Sequence, residues 1–275
     1  MTTTGEKDAK TTIICVDFDG TLVDDDGFIH PTDVEILANE RSAAFVPATG
    51  RPLHAVRRTF ERYGLFTGHP IPFPLILENG AAVYSENEML RSQRSFDPEL
   101  QDELMRVVRA SERASFILFS LNEARLVRAN ETLWAMVRRF DLDPQPFELD
   151  QKLSLSLSKV AVTAEDPESL HAFQAEIAEL PLEQTYSLPD VLELTPVGVH
   201  KGGGLSILLE DAGRHDTEVV VAGDGENDLA LFDLATLSFA PESSPPAIQA
   251  RADHVLDLRE EGLLAPILRE IGVRR

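Results

Sequence analysis

Thr12-Ile13-Ile14-Cys15-Val16-Asp17-Phe18-Asp19-Gly20-Thr21 runs from a short apolar, β-branched segment straight into two carboxylates and a glycine. A run of that kind, with no polar alternation, reads as a strand buried on both faces in a parallel sheet. Three more follow, Ala43 to Ala48, Glu218 to Ala222 and Leu237 to Ala240, each succeeded by polar or glycine-rich residues. Helical patterns separate them. Pro31 stands as a first-turn proline before Val34, Ile36 and Leu37, and Pro52 to Tyr63 carries a second helix. Strand alternating with helix predicts a doubly wound, mostly parallel, Rossmann-like α/β core, with ligands beyond the carboxyl ends of its strands.

The middle of the chain has a different rhythm. Asn79-Gly80 is a tight-turn signal between Leu75 to Glu78 and the returning run Ala81 to Tyr84, which predicts a hairpin. A helix over Pro98 to Ala110, two strands about a turn near Asn122-Glu123 and a helix around Trp134 follow. Leu153 to Ser158 alternates apolar and polar residues, the pattern of a half-buried strand; then come a helix over Pro167 to Leu180 and a hairpin through Tyr186 and Leu192 to Leu194. Mixed helices and antiparallel pairs mark residues 84–190 as an inserted α+β domain. Residues 1–83 and 191–275 then close into one core domain.

The composition removes several classes of partner. Of 275 residues, 47 are acidic and 25 basic, giving a formal net charge of -22. Nucleic acids are gripped by neutralising phosphates with Lys and Arg, and no basic block stands out here. The same sign argues against an anionic membrane surface, and no apolar run approaches the roughly 20 residues of a spanning helix. The polar stretch Met1 to Thr12 lacks the apolar centre of a secretory signal, so a cytoplasmic protein is expected. The single cysteine, Cys15, lies between Ile14 and Val16 and reads as a small buried hydrophobe. Twenty of the basic residues are Arg; the five Lys are Lys7, Lys10, Lys152, Lys159 and Lys201. A chain that supplies its cations as Arg hints at a specific use for the compact ammonium of Lys201.

Four loops carry residues with chemistry. Asp17 and Asp19 place two carboxylates one residue apart where a strand ends; they are either an ordinary Asp-Gly turn or a mutually repelling pair that a divalent oxygen-seeking metal, Mg²⁺ above all, would relieve. Gly223-Asp224-Gly225-Glu226-Asn227-Asp228 follows another buried strand and opens a helix at Leu229, so its acids project from the same sheet edge, although Asn227 or Asp228 could serve only as a cap. Neither loop has the glycine and late glutamate of an EF-hand, and the seven histidines show no zinc spacing. Pro47-Ala48-Thr49-Gly50-Arg51-Pro52 is a strand end turning into a helix, where a hydroxyl and amides can hold an anion or Thr49 can cap. His200-Lys201-Gly202-Gly203-Gly204 sets the isolated lysine at a helix start, where three glycines allow close approach or a loose loop.

Taken together in the order Asp-x-Asp-Gly-Thr, Ala-Thr-Gly-Arg, Asn-Gly-Ala (Asn79 to Ala81), Lys-Gly, Gly-Asp-Gly-x-Asn-Asp, these segments resemble the haloacid dehalogenase superfamily of phosphohydrolases. The likeness is strongest to its Cof-type sugar-phosphatase branch, which carries a cap domain between its second and third motifs. The resemblance implies an Mg²⁺-dependent phosphatase of small phosphorylated metabolites, sugar phosphates foremost, working through an aspartyl-phosphate. It implies Asp17 as nucleophile and Asp19 as general acid and base. Metal would bind Asp17, Asp224 and the backbone carbonyl of Asp19. Thr49, Lys201, Asn227 and the amides of Phe18 and Gly50 would hold the phosphoryl group. Asp228 would orient Lys201 or metal waters, and Arg51 is a candidate substrate contact. Arg125, Arg128, Asn122 and Tyr186 are the cap residues that could face the leaving group. One departure stands out: many relatives have a Gly-Asn-Ala turn where this chain has Ala240-Pro241-Glu242-Ser243. Phosphomutase-type transfer on the same core and a catalytically silent binding protein are the alternative readings.

Overall fold

A computed structural model describes residues 11–41, 43–121, 123–212 and 217–272. Along the chain these form β1 (Thr11–Asp17), α1 (Pro31–Asn39), β2 (Ala44–Ala48), α2 (Leu53–Arg62), β3 (Leu75–Leu77), β4 (Ala82–Ser85), β5 (Met89–Gln93), α3 (Pro98–Ala110), β6 (Ala114–Ser120) and β7 (Glu123–Val127). Then come α4 (Glu131–Arg139), β8 (Gln145–Pro146), β9 (Lys159–Ala164), α5 (Pro167–Glu176), β10 (Leu182–Leu188), β11 (Val191–Pro196), α6 (Lys201–Ala212) and β12 (Thr217–Ala222). The chain ends with α7 (Leu229–Phe232), β13 (Leu237–Pro241), α8 (Pro246–Gln249), β14 (His254–Leu256), α9 (Leu258–Glu261) and α10 (Leu264–Glu270).

One sheet has eight strands in the order β14-β13-β12-β1-β2-β3-β4-β5, parallel from β14 to β3 and antiparallel from there to β5. Both of its faces are covered, which is why β1 reads as unbroken apolar sequence. Ile14 and Val16 feed one core with Phe18, Phe45 and Phe60, while Ile13 and Cys15 feed the other with Leu205, Leu208 and Val221. Cys15 is fully buried, as expected, and burial pushes its thiol pKa far up, so it is held as an unreactive thiol.

The second sheet has six strands, β10-β11-β9-β6-β7-β8, antiparallel except between β7 and β8. Helices α3 and α5 cover one face through Leu104, Val108, Leu170 and Phe173. The other face collects Ile117, Phe119, Met136 and Phe140 and reaches Ala55 of α2.

This partition moves both expected boundaries of the insertion. Tyr84 to Gln93 completes the eight-stranded sheet, and Val191 to Pro196 is the buried second strand of the six-stranded one. The hairpins were legible, but strand periodicity does not say which sheet a hairpin joins. Leu153 to Ser158 is not a strand. Its alternating burial is present, but it joins no strand ladder: the Gln101 side chain accepts from Leu157 N at 2.7 Å and donates to Leu155 O at 2.9 Å, while Leu157 O accepts from Phe96 N and Ser158 N donates to Phe119 O. The helix expected to Leu180 stops at Glu176. Asn122 lies outside the described residues.

Candidate active site

Strands β12, β1 and β2 are neighbours, and each ends in one of the loops singled out above. Asp17 is the last residue of β1, Thr49 follows β2, Gly223 and Asp224 follow β12, and Lys201 starts α6. Parallel neighbours put all these loops at one sheet edge, the place where open α/β folds bind ligands.

At the centre is a buried ion cluster. The Lys201 ammonium donates to Asp17 Oδ1 and, at 2.7 Å, to Asp228 Oδ1. Asp228 Oδ2 accepts the amides of Asp224 and Gly225, each at 3.0 Å, so this carboxylate shapes the loop and orients the lysine. Asp17, Asp224 and Asp228 each present an oxygen within 4.8 Å of the others. Burial, then the Asp228 charge, raises the Asp17 pKa well above the usual carboxylate range. The same two causes push Asp224 up to about 6, against a hydrogen bond from Thr21 Oγ1 at 3.2 Å. The paired carboxylates hold the Lys201 pKa above its ordinary value although burial acts the other way.

Asp17 Oδ2 is buried and has no hydrogen-bond partner. An unpartnered carboxylate oxygen beside a second acid whose proton affinity is raised fits a hard divalent cation, which would satisfy both. Gly20 sits under this pair at φ +89°, and a Cβ there would overlap the Asp224 carboxylate. Asp17 and Asp224 are the side chains free for such an ion, because Asp228 is committed to Lys201 and two amides.

Asp19 points elsewhere. Arg51 Nε lies 2.9 and 3.1 Å from its two oxygens, Nη2 also donates to it, and Thr49 Oγ1 donates at 3.3 Å. Arg51 is itself held: Nη1 donates to Thr59 at 3.0 Å, and the guanidinium lies 5.2 Å from the ring centres of both Phe18 and Phe140. Thr49 does not cap α2, whose N-cap is Pro52; its hydroxyl accepts the Arg51 amide at 3.1 Å and so fixes the turn.

A cavity of about 580 Å³ opens over these residues, with Asp17, Asp19, Thr49, Gly50, Arg51, Lys201, Asp224 and Asn227 on its core side. Its opposite wall comes from the six-stranded sheet and α4, including Met136, Arg139, Phe140, Tyr186 and Leu188. Tyr186 therefore does face the site, and its hydroxyl donates to Gln174 at 2.8 Å. Arg125 and Arg128 are not among the lining residues. Arg125 pairs with Glu123, and Arg128 spends its guanidinium on the carbonyls of Val108, Ser111 and Ala114. Among the lining residues that escaped the sequence reading are Lys159, Glu193, Arg139 and Phe140. Lysine scarcity, which drew attention to Lys201, marks Lys159 equally well.

The model of a family described as haloacid dehalogenase-like hydrolase matches residues 14–268. The phosphoglycolate phosphatase of Methanopyrus kandleri is 25% identical over 279 residues, covering 95% of this chain and 97% of that protein. The pyridoxal phosphate phosphatase of Escherichia coli is 25% identical, covering 90% and 93%. Among solved structures, one from Thermotoga maritima aligns with a TM-score of 0.79 at 25% identity, covering 97% of this chain and 98% of that one.

Proposed function

Because the chain belongs to the haloacid dehalogenase-like hydrolase family, we propose that it is an Mg²⁺-dependent phosphatase of small phosphorylated metabolites, within which the Cof-type resemblance favours sugar phosphates. The observation that carries this reading is the buried Asp17–Lys201–Asp228 cluster, with Asp224 beside it, at the floor of a cavity.

An Asp17 carboxylate oxygen attacks phosphorus, the bond from phosphorus to the alcohol oxygen breaks, and an aspartyl-phosphate forms. Asp19, one residue along the loop, gives its proton to the departing alcohol and then takes one from the water that cleaves the acyl phosphate. Arg51 and Thr49 hold the Asp19 carboxyl at the cavity wall. Lys201 offsets the negative charge shared by nucleophile and phosphoryl group, and Asn227, the Thr49 hydroxyl and the Phe18 and Gly50 amides complete the anion cradle. Asp17, Asp224 and the Asp19 carbonyl would hold Mg²⁺, which neutralises phosphoryl charge when bound.

The test compares wild type with Asp17→Asn across sugar phosphates, nucleotides and pyridoxal phosphate in Mg²⁺. Free phosphate from wild type, with loss by at least three orders of magnitude in the variant, is expected. Equal slow release from both proteins defeats the proposal, and an isomeric sugar phosphate without free phosphate points instead to transfer.

A further inference from the structure

Two charged side chains of the six-stranded sheet are buried where that sheet meets the Thr49–Arg51 turn. Lys159, the first residue of β9, and Glu193, in β11, are 1% and 2% exposed and pair at 2.7 Å. Glu193 stands opposite Ala161, two residues beyond Lys159, so both side chains leave the sheet on the face that also carries Val191 and Phe119. Ile117 and Ala161 share that face, and the Lys159 ammonium lies 4.5 Å from the centre of the Phe119 ring.

Their bonds cross to the other sheet. Lys159 Nζ donates to the Gly50 carbonyl at 2.7 Å. The second Glu193 oxygen accepts from the Asn79 side-chain amide at 2.5 Å, and the Asn79 backbone amide donates to the Thr49 carbonyl at 3.0 Å. The ring closes around Gly50, where a Cβ would meet Asn79 Oδ1 at 3.1 Å and Glu193 Oε2 and Lys159 Nζ at 3.3 Å. Asn79 reaches this position in a left-handed turn, φ 57°.

Stability does not explain such an arrangement. Desolvating both partners costs about as much as their attraction returns, and an apolar pair of similar volume would hold the sheets together at least as well. What the ion pair supplies, and an apolar pair would not, is direction: three hydrogen bonds fix where the Gly50 turn sits relative to the inserted sheet. Misplacing a reacting group by about 1 Å can cost about 10²-fold in rate. We infer that Lys159 and Glu193 are positioning residues, which pin the Gly50 turn to the inserted sheet and hold the anion cradle in register with the opposite wall of the cavity. The inference rests on the phosphatase reading for what the cradle binds.

The double variant Lys159→Met/Glu193→Leu leaves no unpaired buried charge, and Asn79→Gly keeps the left-handed turn while removing only the Glu193 contact. Both are compared with wild type for turnover of p-nitrophenyl phosphate, inhibition by inorganic phosphate and melting midpoint. A positioning role predicts a fall of about 10- to 100-fold in kcat, inorganic phosphate bound about 10-fold more weakly, and a melting midpoint for the double variant within a few degrees of wild type. Asn79→Gly shifts kcat and phosphate binding the same way by less. Wild-type kcat and phosphate affinity in the folded double variant would overturn the inference, as would losses that merely follow the unfolded fraction. If wild type hydrolyses no ester at all, the phosphatase reading falls, and protection of the melt by inorganic phosphate, compared between wild type and double variant, still decides the positioning role.

Discussion

Replacing Asp224 by Asn should make the metal-free protein more stable while abolishing its activity. The pKa of Asp224 is raised from the ordinary 3.8 to about 6, by burial first and the Asp228 charge second. A carboxyl raised in the folded state binds its proton more tightly there than in the unfolded chain. The stability this provides is therefore present below pH 3.8 and is lost as the pH climbs through about 6. Two pKa units at 1.36 kcal/mol each give about 3 kcal/mol lost by pH 7. Asparagine carries no such penalty, and its side-chain oxygen can still accept from Thr21. In chelator, with moderate salt to damp the general repulsion, the variant's melting midpoint should match wild type near pH 4 and exceed it by about 5–10 °C at pH 7. Adding Mg²⁺ at about a thousand times its dissociation constant should reverse the order, because only wild type gains binding energy, about 4.1 kcal/mol. Differential scanning calorimetry from pH 4 to 7, with and without metal, reads both effects. A wild-type minus variant difference that stays constant over this range, or a variant that Mg²⁺ protects as well as wild type, would refute the reasoning.

Other expectations follow from the same geometry. Gly20→Ala forces a side chain onto φ +89° and into the Asp224 carboxylate, so it should lose about 1–3 kcal/mol of stability and weaken Mg²⁺ dependence; wild-type melting and metal titration curves would contradict this. Asp19→Asn should slow the first step, aspartyl-phosphate formation, by about 10²- to 10⁴-fold with an alkyl phosphate but much less with p-nitrophenyl phosphate, because a phenolate leaves without a proton; equal losses in single-turnover release of the two alcohols would remove Asp19 from the acid role. Charges farther from the site than the Debye length of about 8 Å are largely screened at physiological salt, so phosphate release at constant Mg²⁺ should hold or rise as KCl is added, and a steep fall would count against screening.

The parallel centre of the eight-stranded sheet was legible because strands buried on both faces leave unbroken apolar runs, and because Asp17, Thr49 and Asp224 stand at the ends of those runs. The ion cluster was legible for a related reason: its members stand where strands end and helices begin, away from the middle of the elements. Lys159 and Glu193 sit within strands and belong to no motif, so only their three-dimensional meeting at Gly50 distinguishes them. Leu153 to Ser158 shows the converse, since its alternation reports burial on one side without supplying a strand partner; the side chain of Gln101, more than fifty positions away, takes that place. Arg128 was left open by the sequence because an arginine in a cap is as able to tie down carbonyls, as this one does, as to meet substrate.

The strand order also governs how the chain can assemble during synthesis. By the time Pro196 has left the ribosome, every strand of the six-stranded sheet is available, whereas β1 has only β2 on one side. Its other neighbour, β12, begins at Thr217, and the register joins Thr11 to Thr217 and Val16 to Ala222 across more than two hundred residues. Until then the strand carrying Asp17 is an open edge, the feature of a nascent chain most prone to wrong pairing. The inserted unit is thus positioned to fold first and to wait beside an unfinished partner, and Asp17 gains its lysine and its acidic neighbours only with the last 75 residues of the polypeptide.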